Sequence, residues 1–262
     1  MRQENSRRHP SFSTISAVFL GLVFVLVLWE TIALSTKQTF LPEFFACLRQ
    51  AFSFLSLSAT WVDLGYSCLR ILISLVISFV LGTFLGQLSG YFPWLEKFLY
   101  PLITVLKALP TVALVLLLVI YVPHFSLYVV SIVLFPVIYQ ASLQGASQAY
   151  QRFWPILELE GRRHWIKNIT LVTLPLSADY LILALLQAVG MGFKVEVMAE
   201  TFARTNLFKG IGADIYFCYT ELDYSSMMAY VLIVLLVSLA LDGLLLWLKK
   251  KAQQSLAEQK RQ

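Results

Sequence analysis

Six apolar windows in this chain are each long enough to cross a bilayer, and they constrain its fold more than anything else. They run from about 15 to 35, 67 to 90, 101 to 122, 126 to 144, 175 to 197 and 226 to 248. Crossing about 30 Å of hydrocarbon as helix takes roughly 20 residues. A soluble domain covers itself with polar groups, and a chain that is 58% hydrophobic and only 13% charged does not have them. The expected fold class is an all-α integral membrane protein of about six transmembrane helices. No segment is polar enough for a separate soluble domain, so residues 1–262 read as a single transmembrane domain. The first window follows Arg2, Arg7 and Arg8 as a secretory signal would, yet it is too long for a signal core. Nothing around Ile32-Ala33-Leu34 reads as a small-residue cleavage site.

Orientation follows from the cationic residues. Arg2, Arg7, Arg8, Lys97, Arg152, Arg162, Arg163, Lys167, Lys249, Lys250, Lys251, Lys260 and Arg261 fall on one side of a six-span arrangement. The other side holds mainly Lys37, Arg49, Arg204 and Lys209. The rich side is expected to be the cytoplasm, with both termini and the segment 145–175 on it (N-in/C-in). Topology thus accounts for the net charge of +5 without a nucleic-acid partner. Cys47, Cys68 and Cys218 have no metal-ligand spacing. Cys47 and Cys218 both map to the outer side, which permits a disulfide, although a free cysteine usually behaves as a small apolar residue.

Several local patterns refine this arrangement. Between Ser35 and Trp61, the residues Phe44, Phe45, Leu48, Ala51, Phe52 and Leu55 repeat with a helical period, as in an interfacial helix lying on or against the bundle. Gly82, Gly86 and Gly90 recur every four residues and put a flat groove on one face of the second span, where a neighbouring backbone can approach closely. Pro110 and Pro136 sit inside apolar windows, where proline removes a ladder bond and bends a helix. Lys249-Lys250-Lys251 closes the last span as a stop-transfer anchor.

The segment 145–175 is polar and Arg-containing, unlike the windows on either side. Pro155 is suited to the first position of a short helix, and Ile156, Leu157 and Leu159 then interleave with Glu158, Glu160, Gly161, Arg162 and Arg163. A second stretch from Trp165 to Leu174 places Trp165, Ile169 and Val172 near one face. Two such helices serve either as a float on the membrane surface or as a peg for another protein. No Gly-rich loop ending in Gly-Lys-Ser or Gly-Lys-Thr occurs, so any nucleotide energy has to come from a partner. His9, His124 and His164 are scattered, with no zinc spacing, and no Ser or Cys nucleophile pairs recognisably with a base. The expectation is a non-enzymatic chain without a metal site or cofactor.

From about Gly65 to Leu248 the chain resembles the permease subunit of a binding-protein-dependent ABC importer of the nitrate/sulfonate/taurine type. The family's cytoplasmic loop reads Glu-Ala-Ala, three residues, Gly, nine residues, Ile, any residue, Leu-Pro. Leu174-Pro175 matches its close, with Val172 where Ile is usual; Arg162 falls where Gly is expected, Gly161 one residue early, and Glu158 or Glu160 stands for the acidic member. Leu41-Pro42, Ser67-Cys68-Leu69-Arg70, the three glycines and Lys107-Ala108-Leu109-Pro110 resemble further family landmarks. So does the ordered set Met191 to Glu200, Gly210-Ile211-Gly212, Ile215 and Leu222-Asp223.

The resemblance implies alternating access in the cell (inner) membrane and several partners: a second permease subunit, a cytoplasmic ABC ATPase dimer and an extracytoplasmic substrate-binding protein. It also implies an ATPase-coupling interface around Ile156 to Trp165. Other classes remain: a vitamin importer's membrane component, a secondary transporter, for which an internal repeat would speak, and a non-transporting scaffold.

Asp179, Lys194, Glu196, Glu200 and Asp242 fall within or at the ends of apolar spans, where a charge costs about 2.5 to 3.5 kcal/mol at mid-helix. Glu196 and Glu200 share a face if the helix continues, so at least one needs a cation from elsewhere. Lys194, Glu196 and Glu200 therefore read either as ion-paired struts or as lining of a translocation path. Asp179 is placed at the cytoplasmic start of its span.

Overall fold

The computed structural model describes residues 12–35, 41–159, 165–203 and 209–259. All regular structure among them is helical: α1 (Phe12–Ser35), α2 (Phe44–Leu55), α3 (Ser58–Tyr91), α4 (Pro93–Ala108), α5 (Thr111–Tyr121), α6 (Phe125–Leu159), α7 (Trp165–Asn168), a π-helical turn (Ile169–Thr173), α8 (Leu174–Leu176), α9 (Ala178–Glu200), α10 (Ile211–Thr220) and α11 (Tyr224–Gln259). Among the described residues, four helices are long and apolar enough to cross a membrane, α3, α6, α9 and α11, and the broken pair α4 and α5 makes a fifth candidate. Of the six expected spans, five are thus candidates among the described residues. The first window forms α1, a helix of 24 residues whose stretch Phe19–Ser35 is apolar.

The third window is not one helix. Its two halves meet at 92°. Pro110 clashes with a helical residue before it, and Leu109 accordingly takes extended angles (φ −65°, ψ 125°), ending α4 at Ala108. Pro136, by contrast, is carried inside α6 without ending it.

The segment 145–175 also departs from expectation. Pro155 does not begin a separate helix, because α6 continues through it to Leu159. The carbonyl that its missing N–H and ring displace belongs to Gln151, an exposed residue. Beyond residues 160–164, the chain is helical again from Trp165.

Packing centres on α3, α6 and α9. Half of the apolar window of α9 is buried, against 11% for α11, so α9 is the inner helix and α11 a peripheral one. Phe193, Val197, Ile211, Ala229 and Ile233 join α9, α10 and α11 into one core cluster, against which Cys47 and Ala51 seat α2. Phe54 of α2 stacks on Tyr230 of α11 at 4.7 Å. A second cluster of Val115, Val130, Leu134, Ile138, Ala188 and Ala199 holds α5, α6 and α9 together. The expected interfacial helix is thus α2, packed on the bundle. Its N-terminus is tied to α1, where Glu30 Oε2 accepts the Phe44 amide at 3.2 Å and the Trp29 indole donates to the Pro42 carbonyl at 3.1 Å.

Along α3 and α6 the backbones come close. A Cβ on Gly82 would lie 3.0 Å from Ile138 Cγ2, one on Gly86 2.5 Å from Ser142 Cβ, and one on Gly90 2.5 Å from Ala146 Cβ. Ser74 and Ser78 of α3 add hydroxyl bonds to the carbonyls of Leu127 (2.9 Å) and Ser131 (2.8 Å). Such contacts replace the hydrophobic driving force that is missing between helices in lipid. The three cysteines are free, so no Cys47–Cys218 bridge forms. Burial pushes the Cys47 thiol up, and burial with the charges of Asp223 and Asp214 pushes Cys218 up to about 11. Both act as small apolar groups.

Candidate functional site

The helix that begins at Ala178 continues to Glu200, so Glu196 and Glu200 lie one turn apart on a face with no solvent access. Two buried carboxylates need a cation, and Arg70 of α3 supplies it. Its Nε donates to Glu196 Oε1 at 2.7 Å and its Nη2 to Glu200 Oε1 at 2.5 Å. The same Nη2 reaches the Lys209 carbonyl at 2.6 Å. Ser126 of α6 donates to Glu196 Oε1 at 2.9 Å, and Ser67 of α3 to Glu200 Oε1 at 2.7 Å.

The Gly212 amide, in the first turn of α10, donates to Glu200 Oε2 at 2.9 Å, which sets a carboxylate at the positive end of that helix. Glycine is required there, since a Cβ on Gly212 would lie 2.7 Å from Glu200 Cβ and one on Gly210 2.6 Å from Arg70 Nη2. The cluster therefore ties four elements, α3, α6, α9 and α10, at one end of the bundle. One acceptor is left over: among the described residues, buried Glu196 Oε2 has no hydrogen-bond partner.

Lys194 is not part of this cluster. It points the other way, to within 3.7 Å of Asp242 on α11, and the two side chains are 62% and 47% exposed. They border an open groove of about 910 Å³ with Gln187, Gly190 and Met191. Gly190 leaves room for the carboxylate, as a Cβ there would come within 3.0 Å of Asp242 Oδ1. Asp179 lies in the first turn of α9. Lys107, in the last turn of α4, donates to Gln140 at 3.1 Å beside a cavity of about 410 Å³ lined by Glu96, Tyr100 and Tyr139.

Of the segment expected to couple to an ATPase, Ile156, Leu157 and Glu158 lie on the last turns of α6, and Trp165 opens α7 with its ring 6.0 Å from that of Phe92. Glu160, Gly161, Arg162 and Arg163 lie outside the described residues.

The roles of Arg70, Ser67 and Ser126 escaped the sequence reading. The available sign was Ser67 and Arg70 three apart on one face of an apolar helix, where a cation has to find an anion. Asp214 of α10 was missed as well. Burial pushes its carboxyl up to about 7, and the charges of Asp63 and Glu200 add to the shift. Its Oδ2 is buried without a hydrogen-bond partner among the described residues.

A carboxyl raised in the folded state favours folding while it is protonated, and that contribution is lost as pH rises from about 4 to about 7. Asp214→Asn is accordingly expected to leave stability unchanged at pH 4 and to raise it at pH 8. The gain should be about 1–2 kcal/mol, after discounting for partial exposure. Thermal unfolding in detergent across that range checks it, and equal pH profiles for variant and parent would refute it.

Residues 78–254 match the family described as binding-protein-dependent transport system inner membrane component. The match runs from within α3 into α11 and covers well over half of the chain, taking in Glu196 and Glu200 and leaving Arg70 just outside. No curated protein matches the chain.

Proposed function

Because the chain belongs to the family of binding-protein-dependent transport system inner membrane components, we propose that it is the transmembrane subunit of an ATP-driven importer for a small solute of the nitrate, sulfonate or taurine type. The family match carries this reading. It makes the chain a multi-pass membrane protein of transporter type, in line with its long apolar helices.

Energy then comes from a separate ABC ATPase dimer in the cytoplasm, and solute from an extracytoplasmic binding protein. Two copies of the permease enclose the path in the cell inner membrane, with the termini on the cytoplasmic side. The end of α6 and the start of α7, from Ile156 to Trp165, dock on the ATPase. The buried Arg70–Glu196–Glu200 cluster acts as a strut, a reading supported by the pairing of both carboxylates with Arg70. The α9 face bearing Gln187 and Lys194, with Asp242 opposite, lines the path, because half-exposed charges on membrane helices call for water or a partner beside them.

Reconstitution tests the reading. Purification in nanodiscs should recover a P-loop ATPase with the chain, and Leu157→Asp should lower solute-stimulated ATP hydrolysis at least tenfold. Unchanged ATPase binding and unchanged stimulation in that variant would count decisively against it.

A further inference from the structure

The chain enters α9 through an unusual piece of backbone. Between α7 and α8 it makes a π-helical turn, Ile169–Thr173, just before Pro175. The ring of Pro175 opposes the carbonyl of Leu171, and a widened turn relieves that clash. Such a turn is poorly self-supporting, and the molecule braces it from outside with one side chain, Gln87 of α3.

Gln87 is 3% exposed, with its amide fully engaged. Its Oε1 accepts from Thr173 Oγ1 at 2.9 Å, and its Nε2 donates to Ser177 Oγ at 2.7 Å and to Ser142 Oγ of α6 at 3.3 Å. Each partner is anchored in turn. Ser142 donates to the Thr83 carbonyl at 3.0 Å and Ser177 to the Thr173 carbonyl at 2.6 Å. Nearby, buried Asn168 donates to Tyr91 Oη at 3.4 Å, and Tyr139 to Ser89 Oγ at 3.0 Å. In an apolar interior a network with every member paired is rigid, and losing one member strands the others. It sits where a close α3–α6 approach, at Gly86, meets the root of α9.

We propose that Gln87 is a positioning residue for transport: a clasp that passes movement of the Trp165–Ser177 segment to α3 and α6 together. Without it the segment would yield at the π-turn, and the spans would stay behind. This rests on the importer reading only for where the movement originates; the clasp itself is a property of the isolated chain.

Two measurements test it. In nanodiscs holding the chain alone, Gln87→Leu should raise amide hydrogen exchange across Trp165–Ser177 about tenfold while leaving α2 and α10 unchanged. In proteoliposomes with the co-purified ATPase, Gln87→Leu should keep ATP hydrolysis and cut solute moved per ATP about tenfold. Thr173→Val, nearly isosteric, should cut it several-fold, and the double variant should be no worse than Gln87→Leu alone, since both break one linkage. Exchange unchanged at Trp165–Ser177, or hydrolysis and transport falling in parallel in both single variants, overturns the proposal. Failure of the parent chain to retain an ATPase defeats the importer reading instead, and the exchange result still decides the clasp.

Discussion

Arg70→Met should be the most damaging single substitution in the molecule. It leaves Glu196 and Glu200, both without solvent access, as uncompensated charges one turn apart. Removing one partner of a buried pair typically costs about 3–5 kcal/mol, and here one cation serves two anions. The expected outcome is loss of a monodisperse peak on size-exclusion chromatography in mild detergent, or a steep fall in unfolding temperature. The triple variant Arg70→Met, Glu196→Gln, Glu200→Gln should recover most of the loss, since neutral amides can use Ser67, Ser126 and the Gly212 amide. Lys194→Gln, which breaks only a loose and half-exposed pair, should shift unfolding little. If Arg70→Met and Lys194→Gln prove equally mild, the strut assignment is wrong.

Gly86→Val is expected to come second. At Gly86 an added Cβ would lie 2.5 Å from Ser142 Cβ and 2.7 Å from the Tyr139 carbonyl oxygen, so α3 and α6 have to separate. Overpacking of this kind costs about 1–3 kcal/mol, and separation also stretches the bonds from Ser74, Ser78 and Ser142 across the seam. Gly82→Ala, whose Cβ would lie 3.0 Å from Ile138 Cγ2 and from the Tyr139 backbone nitrogen, is a tight but smaller intrusion and should be milder. Gly65→Ala meets nothing within 4 Å and should be neutral. Unfolding temperatures out of that order would show that the seam does not bear the load.

How far the sequence revealed these features depended on whether they were local. The glycine groove was readable because a spacing of four puts residues on one helix face whatever lies opposite. Helix α2 was readable for the same reason. The break at Pro110 was expected as a bend, but its 92° depends on how α4 and α5 pack on α6, which no local pattern encodes. Pro155 misled because its first-turn preference says nothing about a helix already in progress. For Glu196 and Glu200, sequence showed that a cation was needed and could not show which one, because Arg70 lies more than 120 residues away. The Gln87 clasp was invisible, since glutamine, serine and threonine carry no charge to demand a partner.

The span of that charge cluster along the chain also bears on how the protein is made. Arg70 enters the bilayer with α3, while its anions are still 126 and 130 residues from being synthesised. Through insertion of α4, α5 and α6 the newborn protein carries this guanidinium with Asp63 of the same helix as a nearby anion, and its two buried partners arrive only with α9. Products ending before α9 would lack both of these buried anions. A chain made through α10 adds the Gly212 amide on Glu200 and closes the end of the bundle over the cluster.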